Sequence, residues 1–166
     1  MKKVLVMLLM LAPMAAFAQK FGHVDVQAVI TSLPEYTRAE GELKAKGQEY
    51  ENELKAMQDE IQRKLDEYEK TKSTMNATKQ QETEANINQL MQKYQQAYQD
   101  NQQDLGKQQQ EKMAPIMNKI TTAIKNVGKN GGYVYIMDVS AGIPYISETL
   151  SKDVTADVKA EVNKLK

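Results

Sequence analysis

The sequence predicts an α+β protein that is mostly α: a small β-strand body joined to a long antiparallel helical coiled-coil hairpin. Three observations predict it. From residue 35 to residue 113 there is no proline; charged residues, Gln and Ala fill the stretch, and apolar residues return every three or four positions. That composition belongs to long solvated helix. Near its middle, Ser73-Thr74-Met75-Asn76-Ala77-Thr78 interrupts the pattern with poor helix formers, which places a tip near 73–78. Strand-like runs lie on both sides, at 21–28 and 133–138. The expected division is a signal peptide at 1–18, a body of 19–34 and 115–166, and a hairpin arm of 35–114.

The leader is read from its three parts. Lys2-Lys3 is a basic start, 4–12 an apolar run too short to span a membrane, and Ala16-Phe17-Ala18 a small-x-small cleavage site. No Cys follows the apolar run, which excludes a lipoprotein anchor. Cleavage after Ala18 leaves 148 residues with 20 basic and 22 acidic side chains, a net charge of −2. A chain so near neutral is a poor partner for nucleic acid, which rewards clustered positive charge. A cleaved leader of this kind sends the mature chain out of the cytoplasm.

Taken in order, 21–28 (FGHVDVQA) alternates with the period of a half-buried strand, and 29–33 fits one helical turn. Pro34 is tolerated in a first helical turn and opens the outgoing arm. That arm carries Leu43, Tyr50, Leu54, Met57, Ile61, Leu65, Tyr68 and Met75; the returning arm carries Ile87, Leu90, Met91, Tyr94, Tyr98 and Leu105. Both seams are narrow, enough to zip two helices but not to build a thick core. Glu60/Lys64 and Asp66/Lys70 stand at the i,i+4 spacing of helix-surface ion pairs. Pro115 sits inside a helical pattern and is expected to kink or restart the helix; with Gly41 it forms the expected hinge level.

Ile116, Met117, Ile120, Ile124 and Val127 then give a stronger apolar stripe, ended by Gly128 and Gly131-Gly132. Residues 133–138 (YVYIMD) read as a strand, 140–142 as a turn, and 143–146 (IPYI) as a short edge strand. Asp153 or Thr155 can cap a last helix through Leu165, with Val154, Val158, Val162 and Leu165 on one face. A body of about 67 residues is marginal for a lone core and leaves strand edges to cover, so subunits are expected to share a core.

The order of signal peptide, FGHVDVQAVI strand, charged hairpin, apolar helix, YVYIMD strand and closing SKDVTADVKAEV resembles the Skp/OmpH family of periplasmic chaperones. The resemblance spans the mature chain and is most specific at Val24-Asp25-Val26-Gln27 and at Asp153-Val154-Thr155-Ala156-Asp157-Val158. It implies a homotrimer in which strands of three subunits make a small barrel and three hairpins surround a cavity. That cavity would take in unfolded outer-membrane proteins without ATP and keep them from aggregating. Within this reading Val24, Val26, Val134 and Ile136 are expected to build the shared core. Familiar members are strongly basic, and this chain is not, which argues against lipopolysaccharide or a membrane surface as a partner.

The residues reach the same function independently. A holdase must grip many sequences weakly and release them. Flexible, polarisable Met57, Met75 and Met91 and amphipathic Tyr68, Tyr94 and Tyr98 suit that task on mobile arms. Seam packing is the competing role for each of these six. His23 and Asp25 stand two apart on one strand face but lack a third partner for metal binding or acid–base work. No nucleophile elbow, metal motif or phosphate loop is present, so neither catalysis nor a cofactor is expected. The alternative function is an envelope structural or adaptor protein whose hairpin binds one folded partner.

Overall fold

The computed structural model describes residues 19–165; the expected signal peptide at 1–18 lies outside them. Strand β1 (Lys20–Val24) is followed by a short helix α1 (Val26–Ile30). The long helices are α2 (Pro34–Thr71, 38 residues) and α3 (Ala77–Gly131, 55 residues), linked through a 3-10 turn at Lys72–Thr74. Strand β2 (Tyr133–Asp138), a 3-10 turn at Val139–Ala141, strand β3 (Ser151–Asp153) and helix α4 (Thr155–Val162) complete the chain. The described residues form two compact units. One holds 19–33 and 116–165; the other is Pro34–Pro115.

The first unit contains a three-stranded sheet of order β2-β1-β3, with β1 central and parallel to both neighbours. Gly22 sits opposite Ile136, and a Cβ there would stand 3.2 Å from both Ile136 and the Tyr133 ring. Glycine therefore permits this close approach of β1 to β2. Phe21 and Tyr135 stack across the same pair with ring centroids 4.8 Å apart. The chain turns from α3 into β2 at Gly132, whose φ of +66° is the left-handed conformation that ends helices.

The core of this unit is made by Val24, Val29, Ile120, Val154, Val158 and Val162, all fully buried. Val154 at the cap of α4 and Val158 and Val162 within it recur every four residues, which keeps them on one face. Asn126 donates to Glu161 at 2.9 Å, joining the last turns of α3 to α4. Replacing Ile120 by Ala removes most of a fully enclosed side chain and leaves a cavity in this core. Urea unfolding should register a loss of about 2–5 kcal/mol.

Three sequence expectations need correction. The strand expected over 21–28 stops at Val24, because the Asp25 carboxylate accepts the Ala28 N–H at 2.8 Å and caps α1. Val26 is thus helical and half-buried, not a strand residue. The run 143–146 is not a strand; the third strand is the polar Ser151–Asp153, which pairs with Phe21–His23. Pro115 neither ends nor restarts α3, which continues through it. Its missing N–H would have bonded the carbonyl of Glu111, an exposed residue whose backbone water can serve. Gly41, which with Pro115 marks the expected hinge level, lies within α2.

Candidate functional site

The second unit is an antiparallel helical hairpin, and four cross-arm contacts define its register. Tyr68 donates its hydroxyl to Glu84, Asn101 donates to Glu53 at 3.3 Å, Tyr50 donates to Asp104, and Lys112 pairs with Glu42. Each step back along α2 is matched by a step forward along α3, as two zipped helices require. At about 1.5 Å per residue, the 38 residues of α2 run roughly 57 Å.

The turn between the arms is closed by short polar side chains. Thr74 donates to the Thr71 carbonyl at 2.8 Å, and Asn76 accepts the Lys79 N–H at 2.8 Å to cap α3. The Gln80 amide donates to the carbonyls of Lys72 and Met75, at 3.0 and 3.2 Å. These bonds satisfy backbone groups that a helix end leaves open.

Only Ala39, Tyr68 and Ile87 are buried apolar residues in this unit. The seam is therefore thin, and the remaining apolar side chains are half-covered or exposed. Met91 is 37% exposed and Tyr98 is 49% exposed. Two depressions follow. One, of about 400 Å³, lies beside the turn and is lined by Tyr68, Met75, Ile87 and Leu90 with Lys64 and Lys79. The other, of about 540 Å³, lies midway along the arms and is lined by Leu54, Tyr94 and Tyr98 among polar side chains.

The ion pairs on this unit are exposed and mostly three residues apart. Lys64 reaches Glu67 at 3.3 Å, where the sequence spacing points to Glu60. Such contacts keep the arms solvated and add little stability.

Tyr68 is buried, bonded to Glu84 and covered by the Lys72 ammonium 5.3 Å from its ring centre. It holds the seam and is not presented at the surface, unlike the client contact expected of it. Met57 and Met75 are half-buried; Tyr94 and Tyr98 are brought together on one groove, while Met75 lies at the turn. Among the expected oligomer residues, Val24 is fully buried within the first unit, Ile136 is half-buried, and Val134 is 58% exposed. His23 Nδ1 shares a hydrogen bond with Ser151 Oγ at 2.9 Å, and Asp25 caps α1, so both serve the fold. Asp138 accepts from the backbone of Val26 and Ser140 and closes the turn after β2. No metal-binding group of His, Cys, Asp or Glu exists among the described residues.

The Glu84 carboxylate, accepting the Tyr68 hydroxyl, pushes that phenol up to about 12, helped by burial. Asp104 raises the Tyr50 phenol in the same way, and the Tyr50 and Gln108 hydrogen bonds lower Asp104 in return. A raised phenol stabilises the folded hairpin fully below its ordinary value near pH ~10 and loses that contribution as pH climbs through the raised one. Depressed Asp104 contributes above the ordinary carboxylate value of ~3.9 and loses its contribution as pH falls through the lowered one. Helix melting followed by circular dichroism should hold steady from neutral pH to about 9 and then fall toward 12. Tyr68→Phe should flatten part of that alkaline fall; identical slopes for both proteins would remove Tyr68 as its source.

These features define a class of protein: a sheet-bearing unit with exposed apolar edge residues, coupled in sequence to a solvated hairpin with a thin seam. The family model for the outer membrane protein (OmpH-like) family matches residues 20–162, and the chain belongs to that family. It is 29% identical over 145 residues to chaperone protein Skp of Yersinia enterocolitica, covering 87% of each chain. It is 28% identical to chaperone protein Skp of Pectobacterium atrosepticum, covering 87% of this chain and 86% of that one. A solved OmpH-like protein of Caulobacter crescentus shares its fold, with a TM-score of 0.74 at 15% identity over 88% of this chain and 85% of that one. Among the described residues, no helix is long and apolar enough to cross a membrane.

Proposed function

We propose that the protein is an ATP-independent periplasmic holdase that binds unfolded outer-membrane proteins and prevents their aggregation. The observation that carries this reading is the hairpin seam. Three buried apolar residues hold the whole hairpin Pro34–Pro115, so half-covered Met, Leu and Tyr side chains remain available along both arms. Shallow depressions that combine apolar and aromatic side chains with solvated, flexible polar ones suit many sequences held weakly. Local opening of so thin a seam costs little, which lets the binding surface adapt. The family membership and the chaperone names of two relatives support binding rather than catalysis.

The working form is a homotrimer. In this reading 19–34 and 115–166 form the trimerisation body and 35–114 the client-holding arm, with Gly41 and Pro115 at the level where the arm flexes. Val134, Tyr135 and Met137 on β2 are 58, 49 and 45% exposed in the single chain, and a shared strand core would cover them. Clients would occupy the space between three hairpins.

Fluorescence anisotropy with several labelled β-barrel proteins, each presented unfolded and folded, tests the reading. Binding of every unfolded form and none of the folded forms is expected. Selective binding of one folded protein would replace the holdase with an envelope adaptor.

A further inference from the structure

We propose that the mid-hairpin groove of Leu54, Tyr94 and Tyr98, flanked by Glu51 and Asp59, takes extended client segments in which Lys or Arg alternates with apolar residues. This inference rests on the client-binding reading above and gives it a charge preference: basic unfolded segments over acidic ones.

Three observations carry it. First, the groove combines an apolar and aromatic floor with carboxylates that are not ion-paired. Glu51 accepts only from the uncharged Gln48 amide, at 3.1 Å, and Asp59 makes no hydrogen bond or ion pair among the described residues. Elsewhere on the hairpin, Glu42, Glu49, Glu67, Glu82 and Glu111 each hold a lysine, and Glu60 and Glu69, which hold none among the described residues, line neither depression. Second, the tyrosines are open to a cation. This hairpin already places Lys46 over Tyr50 at 4.7 Å and Lys72 over Tyr68 at 5.3 Å, whereas no cation covers Tyr94 or Tyr98 among the described residues. A client ammonium or guanidinium would supply the missing partner. Third, the charge of the whole unit points the same way. Residues 34–115 carry 12 basic and 16 acidic side chains, a net charge of −4, while 19–33 and 116–166 carry 8 and 6.

Spacing fits an extended occupant. Glu51, Lys55 and Asp59 follow one another at four-residue steps on α2, and Tyr94 and Tyr98 do so on α3. Each set therefore forms a stripe along its helix. Lys55 offsets the charge of one of the two carboxylates, leaving the groove with one in excess. An acidic segment would meet that carboxylate, and the acidic hairpin around it, as like charges; a basic segment gains ion pairs and ring contacts at once.

The test uses the full mature chain and three fluorescent peptides of identical apolar content. Their polar positions are all Lys, all Gln or all Glu, and affinity is read by anisotropy at low and high salt. The Lys peptide should bind about tenfold tighter than the Glu peptide at low salt, with a smaller gap at high salt. In Glu51→Gln/Asp59→Asn, with folding checked by circular dichroism, that gap should shrink to about threefold or less. Equal affinities, tighter binding of the Glu peptide, or an unaltered gap in the double variant would each overturn the inference. Binding of the Gln peptide without any charge gap leaves the holdase reading standing alone. Failure of all three peptides to bind would overturn both.

Discussion

Val134→Asp is expected to dissociate the protein into monomers. Val134 lies on β2, at the edge of a β2-β1-β3 sheet, and is 58% exposed in the single chain. Tyr135 and Met137 beside it are also exposed, although 133–138 is the most apolar strand of the molecule. An apolar strand left open at a sheet edge invites pairing with another copy. If β2 is the shared element, the substitution would bury an unpaired carboxylate against apolar neighbours, at a cost of several kcal/mol in each of three subunits. Sedimentation should then give the mass of one chain for the variant and of three for the parent. Circular dichroism should change little, since helix dominates the signal and α2 and α3 do not contain Val134. A variant that still sediments as a trimer would move the interface away from β2.

Replacing residues 60–90 by a short Gly-Ser turn is expected to weaken client holding while leaving assembly intact. The deletion takes out Tyr68, Ile87, Met75 and the depression they line, together with the Tyr68–Glu84 contact. It spares the contacts of Glu53 with Asn101, Tyr50 with Asp104 and Glu42 with Lys112, so the shortened arms keep their register. The whole fully buried core of the other unit is untouched. Affinity for an unfolded barrel protein should drop by about an order of magnitude or more, because weak apolar contacts spread along the arms act together. Undiminished affinity in the truncated protein would place client binding outside the distal hairpin, in the spared groove of Leu54, Tyr94 and Tyr98 or in the sheet-bearing unit.

Much of the fold was legible because long helices announce themselves by period. The seam positions of α2 and α3, strand β2 and the valine face of α4 all follow from spacing alone. The misreadings have physical causes. Val24-Asp25-Val26 alternates as a strand would, yet one Asp25 hydrogen bond to Ala28 turns the chain into a helix. Strand β3 is three polar residues whose pairing is decided by β1, so no apolar pattern could announce it. The apolar run 143–146 finds no partner strand among the described residues, and Tyr145 is left 79% exposed. The candidate site was half legible. Period placed Tyr68, Tyr94 and Tyr98 on apolar stripes, but cross-arm register decides which is covered. Tyr68 meets Glu84 and closes the seam, whereas Tyr94 and Tyr98 border a groove. The free carboxylates beside that groove were hidden in a sequence whose charges balance overall.

The most direct measurement dilutes a urea-unfolded outer-membrane barrel protein into buffer with and without residues 19–166, and follows light scattering. No nucleotide is added, and the chain is supplied at about one trimer per client. Suppressed scattering is the expected result. Scattering that rises equally with and without a folded, oligomeric chain would contradict the holdase function.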